Sequence, residues 1–118
     1  MKKNTKKSRW IVSLPALAKA RCPCGWTRRA FVGMKPRRAS IHMVRITKDS
    51  QTHYHKRLTE VYYVLKGKGH IEIGKQRYPL KPHIAVLLPP GVRHRAVGKL
   101  TILNFVTPAF DPADEHFD

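Results

Sequence analysis

From about Trp26 onward, apolar and polar residues alternate along the chain with a period of two. That is the spacing of a β-strand, whose successive side chains point to opposite faces. Over Ser40 to Ile46, His42, Val44 and Ile46 fall on one side and Ile41 and Met43 on the other. Glu60 to Leu65 is rich in Val and Tyr and reads as a second strand. Over Gly69 to Ile73, Ile71 and Ile73 share one face and His70 and Glu72 the opposite one. Gly74-Lys75 predicts a two-residue hairpin turn, with Gln76 to Leu80 as the returning strand. Ile84 to Leu88 is an unbroken apolar run, which predicts a strand buried on both faces, stopped by Pro89-Pro90-Gly91. Arg93 to Val97 reads as a short strand, Gly98-Lys99 as a second tight turn, and Leu100 to Val106 as the last strong strand; Pro108 and Pro112 end regular structure. These are seven or so short strands with no helix between them. Parallel strands need crossover connections of a dozen or more residues, so the sheet is expected to be antiparallel, as a sandwich or a small barrel.

The chain has 118 residues, one domain's worth, and at 42% hydrophobic residues it is too apolar to be disordered. No apolar run reaches the roughly 18–20 residues of a spanning helix, so no membrane span is expected. The charge is uneven. The formal net charge is +17, no acid precedes Asp49, 12 of the 24 Lys and Arg lie in 1–38, and four of the seven acids lie in 111–118. The expected organisation is a basic N-terminal arm over 1–20, a β-domain over 21–108 and an acidic tail over 109–118.

The arm is the natural place for a nucleic acid or another acidic partner, but it carries no aromatic-interleaved basic patch, and a solvated arm is the expectation. Its start mimics a secretory signal: a basic stretch, the apolar Trp10 to Ala18, then Ala18-Lys19-Ala20. Ser13 and Pro15 interrupt the apolar part, so an uncleaved arm on a cytoplasmic protein is expected. Cys22 and Cys24 are the only cysteines, in Cys-Pro-Cys. A bridge across two residues is strained and four ligands for zinc are missing, which predicts two ordinary thiols in a loop.

The histidines carry the chemistry. His53 and His55, two apart, point the same way on a strand, and Glu60 heads the next strand. His94 opens another strand after Pro89-Pro90-Gly91. If the sheet closes, these four side chains converge inside it. Three imidazoles and a carboxylate suit one divalent transition metal (iron, manganese, nickel, zinc or copper) and suit calcium or magnesium poorly. Four protein ligands on an octahedral ion leave two positions for water, oxygen or substrate. A divalent ion with one carboxylate leaves a site of formal charge +1, which favours anionic or polarised oxygen substrates.

The stretch from His53-Tyr54-His55 to Glu60, with Gly67 beyond it, followed by Pro89-Pro90-Gly91-Val92-Arg93-His94, resembles the two signature motifs of the cupin superfamily. The match spans 47–98. It departs from the family pattern at Thr47 and His83, where glycines are usual, and at Gly98, where an asparagine is usual. None of these is a ligand position. His83 is expected to take the left-handed backbone of the glycine it replaces.

The resemblance implies a small single-domain cupin: an all-β antiparallel double-stranded β-helix, or jelly-roll barrel, with a metal on His53, His55, Glu60 and His94. It also implies frequent homodimers in which N-terminal strands cross between subunits, a role Trp26 to Met34 is placed to fill. By parity Tyr62 shares a face with Glu60 and is the candidate acid or base beside it, so Glu60 and Tyr62 are the candidate catalytic residues. His42 is placed to line the mouth, and Arg45 and Arg95 to clamp an anionic substrate. The expected function is a metal-dependent enzyme of dioxygenase, isomerase or lyase type on a small oxygenated or anionic molecule. A module that only binds or senses such a ligand is the alternative, and nucleic-acid binding by the basic arm a second one.

Overall fold

The computed structural model describes residues 8–118, so the first seven residues of the basic arm expected over 1–20 lie outside the described residues. Seven antiparallel strands follow: β1 (Ala20–Cys22), β2 (Gly25–Ala30), β3 (Ser40–Ile46), β4 (Thr59–Ile73), β5 (Gln76–Leu80), β6 (Ala85–Leu88) and β7 (His94–Thr107). Helix is limited to two single turns, Leu14–Ala16 and Pro112–Asp114. No helix among the described residues is long and apolar enough to cross a membrane. The strands form one sheet in the order β1-β2-β3-β7-β4-β5, with β6 on the first half of β4. The predicted antiparallel all-β fold is present, but the hydrogen-bonded path does not close into a cylinder.

Two long strands replace four predicted short ones. β4 runs without interruption across what reads as a gap, because a bulge between Val64 and Lys66 switches parity. Glu60, Tyr62 and Val64 face inward before it, and Ile71 after it. An alternation that changes phase looks, in sequence, like a strand that ends.

β7 likewise passes straight through Gly98-Lys99, where a turn was expected. Gly98 has φ +120° and pairs with Gly69, and a Cβ there would lie 2.6 Å from the Lys68 carbonyl oxygen. The glycine marks a close approach of two backbones at a bend. The run Ile84 to Leu88 is also not buried on both faces. β6 pairs only with β4, and Leu87 is 63% exposed while Leu88 is buried. Only the inner face of the sheet is covered at this strand, so its alternate residues face water.

The hairpin at Gly74-Lys75 forms as predicted, pairing Ile73 with Gln76. His83 takes φ +77°, as its glycine-like position requires, and its ring meets the Tyr63 hydroxyl at 2.6 Å. β2 pairs along its whole length with β3 and stops at Phe31, whose φ is +70°. Val44, Ile46, Val64, Ile71, Leu80, Leu88, Leu100 and Ile102 make the core between the curled halves of the sheet.

Residues 109–118 fold back onto the domain. The Asp114 carboxylate accepts backbone N–H bonds from Lys56, Arg57 and Leu58, at 3.1, 2.9 and 3.0 Å. Tyr54 pairs with His116, and Phe110 N–H donates to Ser40 Oγ. The segment therefore pins the loop that leads from the histidine pair into β4.

Candidate metal centre

β4 and β7 pair over their whole lengths, so His94 lies opposite Ile73, thirteen residues along β4 from Glu60. A straight strand would place those two points roughly 40 Å apart. Yet His94 Nε2 is 3.3 Å from Glu60 Oε1. The β4–β7 ribbon must therefore curl back over itself, and the bulge at Leu65 and the Gly69–Gly98 contact lie between its two ends. The loop before β4 completes the enclosure: His53 and His94 exchange both backbone bonds, at 3.1 and 2.9 Å.

His53, Glu60 and His94 each place one donor atom within 4.8 Å of the others. His55 stands beside them, its Nδ1 3.4 Å from Glu60 Oε1 and its ring 5.4 Å from that of His53. The group suits a metal on the evidence of its own orphaned atoms. Glu60 Oε1 and His94 Nε2 are buried and have no hydrogen-bond partner. His94 Nδ1 is 2.8 Å from the Val92 carbonyl and His53 Nδ1 is 3.1 Å from that of Gln51. A carbonyl only accepts, so Nδ1 of each ring must carry the proton. Each Nε2 lone pair is thereby left toward the shared space.

Burial, then the proximity of His94, keeps His53 neutral to lower pH than usual. Burial alone would raise the Glu60 carboxyl; the close approach of the His94 ring, the nearby His55 and the hydrogen bond from the Asn104 amide outweigh it and lower the group below the ordinary carboxylate value. Asn104 Nδ2 donates to Glu60 Oε2 at 2.6 Å.

These groups open on a cavity of about 110 Å³. Its wall is ordered by strand register. One rung carries Ser40, Val106, Glu60 and Leu88 across β3, β7, β4 and β6. The next carries Arg29, His42, Asn104 and Tyr62 across β2, β3, β7 and β4. The third carries Thr27, Val44, Ile102 and Val64. The rung of Glu60, a polar rung and a mostly apolar rung thus follow one another into the interior.

Tyr62 faces inward as parity predicted, edge-on to His94 with ring centroids 5.9 Å apart. Burial first, then the Glu60 charge, raises its phenol well above the ordinary value, so it stays protonated. His42 lies deeper than the mouth, buried, with Nε2 3.0 Å from Ser40 Oγ and its edge on Phe110. Arg45 and Arg95 do not reach the cavity. Arg45 bonds Thr101 Oγ1 at 2.9 Å, and Arg95 grips Glu72 with two bonds of 2.9 and 3.1 Å. Both sit at odd positions of strands whose even positions face inward.

Cys22 and Cys24 flank the β1–β2 turn, line the cavity and bring their sulfurs within 2.7 Å. Their mutual hydrogen bond, the largest influence on each, lowers Cys22 to about 6 and raises Cys24.

Sequence reasoning missed Asn104, Thr27, Arg29 and Glu115, all of which line the cavity. Asn104 had a signal, as the polar member of the even set Leu100, Ile102, Val106. Glu115, 3.8 Å from His53 Nε2, had none, because its approach depends on the fold-back of the last ten residues.

Burial and the Arg29 charge push His42 down to about 4, from an ordinary 6.5. The folded chain therefore binds fewer protons than the unfolded chain between those values, and this group favours folding less as pH falls through the window. Relative to pH 7 the penalty on the folded state is on the order of 3 kcal/mol, nearly all of it incurred by about pH 4. A titration of the His42 ring signals by NMR is expected to stay flat until below pH 5; a midpoint near 6.5 would contradict the burial argument.

The fold and its histidine–carboxylate group place the protein among β-barrel proteins that keep their site inside the barrel. A family profile described as Cupin domain matches residues 42–99, and the chain belongs to the cupin family. A protein of solved structure from Planctomyces limnophilus is 46% identical over 91% of this chain and 95% of its own, with a TM-score of 0.87. A nucleoside dehydratase, solved also with uridine as a Streptomyces protein, is 20% identical over 95% and 90% of the two chains, with a TM-score of 0.75. An ectoine synthase from P. lautus is 18% identical over 90% and 87%, also at 0.75. The last two likenesses concern the fold. Comparison with curated proteins gives no significant match.

Proposed function

We propose that the protein is a metal-dependent lyase or isomerase acting on a small oxygenated, anionic molecule. The observation that carries this reading is the pair of buried, unpartnered donors, Glu60 Oε1 and His94 Nε2, 3.3 Å apart at the head of a cavity that also holds a buried phenol. His53, Glu60 and His94 would hold the ion, with His55 beside them as a fourth donor. A divalent transition metal bound there supplies a Lewis acid toward a substrate oxygen.

The chain's own groups do the rest. Asn104 holds one oxygen of Glu60 and so orients the other. Tyr62, kept protonated by burial, is placed to deliver a proton to a substrate oxygen. Eliminations of water and aldose–ketose shifts both need that step. The solved neighbours include a nucleoside dehydratase and a putative sugar phosphate isomerase, which favours these two reaction types over oxygen chemistry. A module that only binds would want a purely apolar lining; the Tyr62 phenol in the cavity is the proton donor that turnover needs.

The test is a screen of metal-loaded protein against β-hydroxy acids, sugar acids and sugar phosphates, followed by NMR. Tyr62→Phe is expected to lower kcat by about 100-fold with the metal content unchanged. A Tyr62→Phe variant as fast as the parent would remove the phenol from the reaction.

A further inference from the structure

We propose that Arg29, with the Thr27 hydroxyl, forms an oxyanion-binding subsite in the cavity wall, beside which the Asn104 amide oxygen offers an acceptor to another group of the same ligand. The substrate is then a small molecule with a carboxylate or phosphate at the end remote from the oxygen at the metal. The substrate assignment rests on the metal-dependent reading above; the subsite itself does not.

Arg29 lies on β2 at an inward position and lines the cavity. Its guanidinium carbon is 4.5 Å from the centroid of the Phe110 ring, which holds the fork in one plane. Among the described residues, no carboxylate lies within ion-pair distance of it. Its Nε is buried without a hydrogen-bond partner. A half-buried guanidinium with an unmet N–H is unfavourable until something supplies the acceptor.

Two further orphans line the same cavity. Thr27 Oγ1 stands two residues back on the same strand and Asn104 Oδ1 is two strands across on the rung of Arg29, and both residues are buried. The Asn104 amide nitrogen is committed to Glu60, so its free oxygen is an acceptor for a substrate hydroxyl or N–H. The two acids that line the cavity, Glu60 and Glu115, are both drawn to histidines at the metal end. The wall thus presents a fixed cation and a hydroxyl to one part of a ligand and an acceptor to another. This matches an anion that also carries a hydroxyl or amide group.

The experiment is a ¹H–¹⁵N titration of the full chain with inorganic phosphate and, separately, acetate, following the Arg29 Nε–H signal, with affinities from calorimetry. One or both anions are expected to shift that signal saturably, and whichever does so names the class of anion. Arg29→Gln is expected to weaken binding at least tenfold with little change in the thermal midpoint, since the cation has no carboxylate partner and loses only its stack on Phe110. Arg29→Lys keeps the charge and loses the fork; it serves if the glutamine variant does not fold, with a several-fold loss expected. His94→Ala should leave the Arg29 response intact.

An unmoved Arg29 signal, or unchanged affinity in both variants, would overturn the subsite and assign the anion to exposed lysines and arginines. Elemental analysis of the same samples keeps the two readings apart. Protein that holds no metal yet shows the Arg29 response upholds the subsite and removes the metal-dependent reaction.

Discussion

His94→Ala is expected to abolish stoichiometric metal binding. Structural zinc sites with four ligands bind with about 10–16 kcal/mol at neutral pH, so one ligand accounts for about 2.5–4 kcal/mol. That corresponds to a loss of affinity of roughly 100-fold to several hundred-fold. The effect should be sharp here because the imidazole is 1% exposed and its Nδ1–H is fixed on the Val92 carbonyl, which aims Nε2 into the shared space. Elemental analysis after dialysis against a weak chelator, compared with the parent, measures it. The folded fraction is checked by urea unfolding, since the vacated space is small and the His53–His94 backbone bonds remain. Undiminished metal in the variant would show that the histidines and Glu60 are a packed polar cluster and nothing more.

Gly98→Ala is expected to destabilise the fold strongly. The residue has φ +120°, which an L side chain rarely adopts, and its Cβ would lie 2.6 Å from the Lys68 carbonyl oxygen and 2.7 Å from the Gly69 Cα. Both neighbours are backbone, so no side chain can yield. The strained dihedral contributes about 1–3 kcal/mol and the forced strand separation a similar amount, for a loss of about 3 kcal/mol or more in unfolding free energy. Urea unfolding measures this. A second effect should accompany it: if the bend opens, Glu60 and His94 move apart and metal affinity falls with stability. Gly74→Ala is the control. That turn glycine has φ +59° and open space around its Cβ, so it should lose about 1 kcal/mol and keep its metal. Equal damage at both positions would mean that the bend has no special part in building the site.

Much of the sheet was legible because a period of two is a local property. The inward sets His42–Val44–Ile46 and Glu60–Tyr62 are correct in the structure, and so is the hairpin at Gly74. What failed depended on partners distant in sequence. Whether Gly98 turns a chain or admits another backbone depends on Gly69 lying opposite. Whether Ile84 to Leu88 is covered twice or once depends on its place at an edge. The parity change at Leu65 belongs to the β4–β7 register and cannot be told from a strand end within β4 alone. For the site, ligand types and spacing pointed to His53, Glu60 and His94, which meet. The wall was hidden because Arg29 reads as one more basic residue among 24. Only its orphaned Nε and its seat on Phe110 distinguish it.

The stacking of the interior in rungs has an evolutionary corollary. On the reading proposed above, the metal site and the ligand-selecting wall occupy successive levels and are carried largely by different strands. Positions 27, 29 and 42 can therefore be rewritten toward a new substrate while the inherited reactive centre is left alone. Asn104 answers to both selective pressures, with its nitrogen on Glu60 and its oxygen on the wall. A directed-evolution library that spares it should change specificity far more often than it loses the ion.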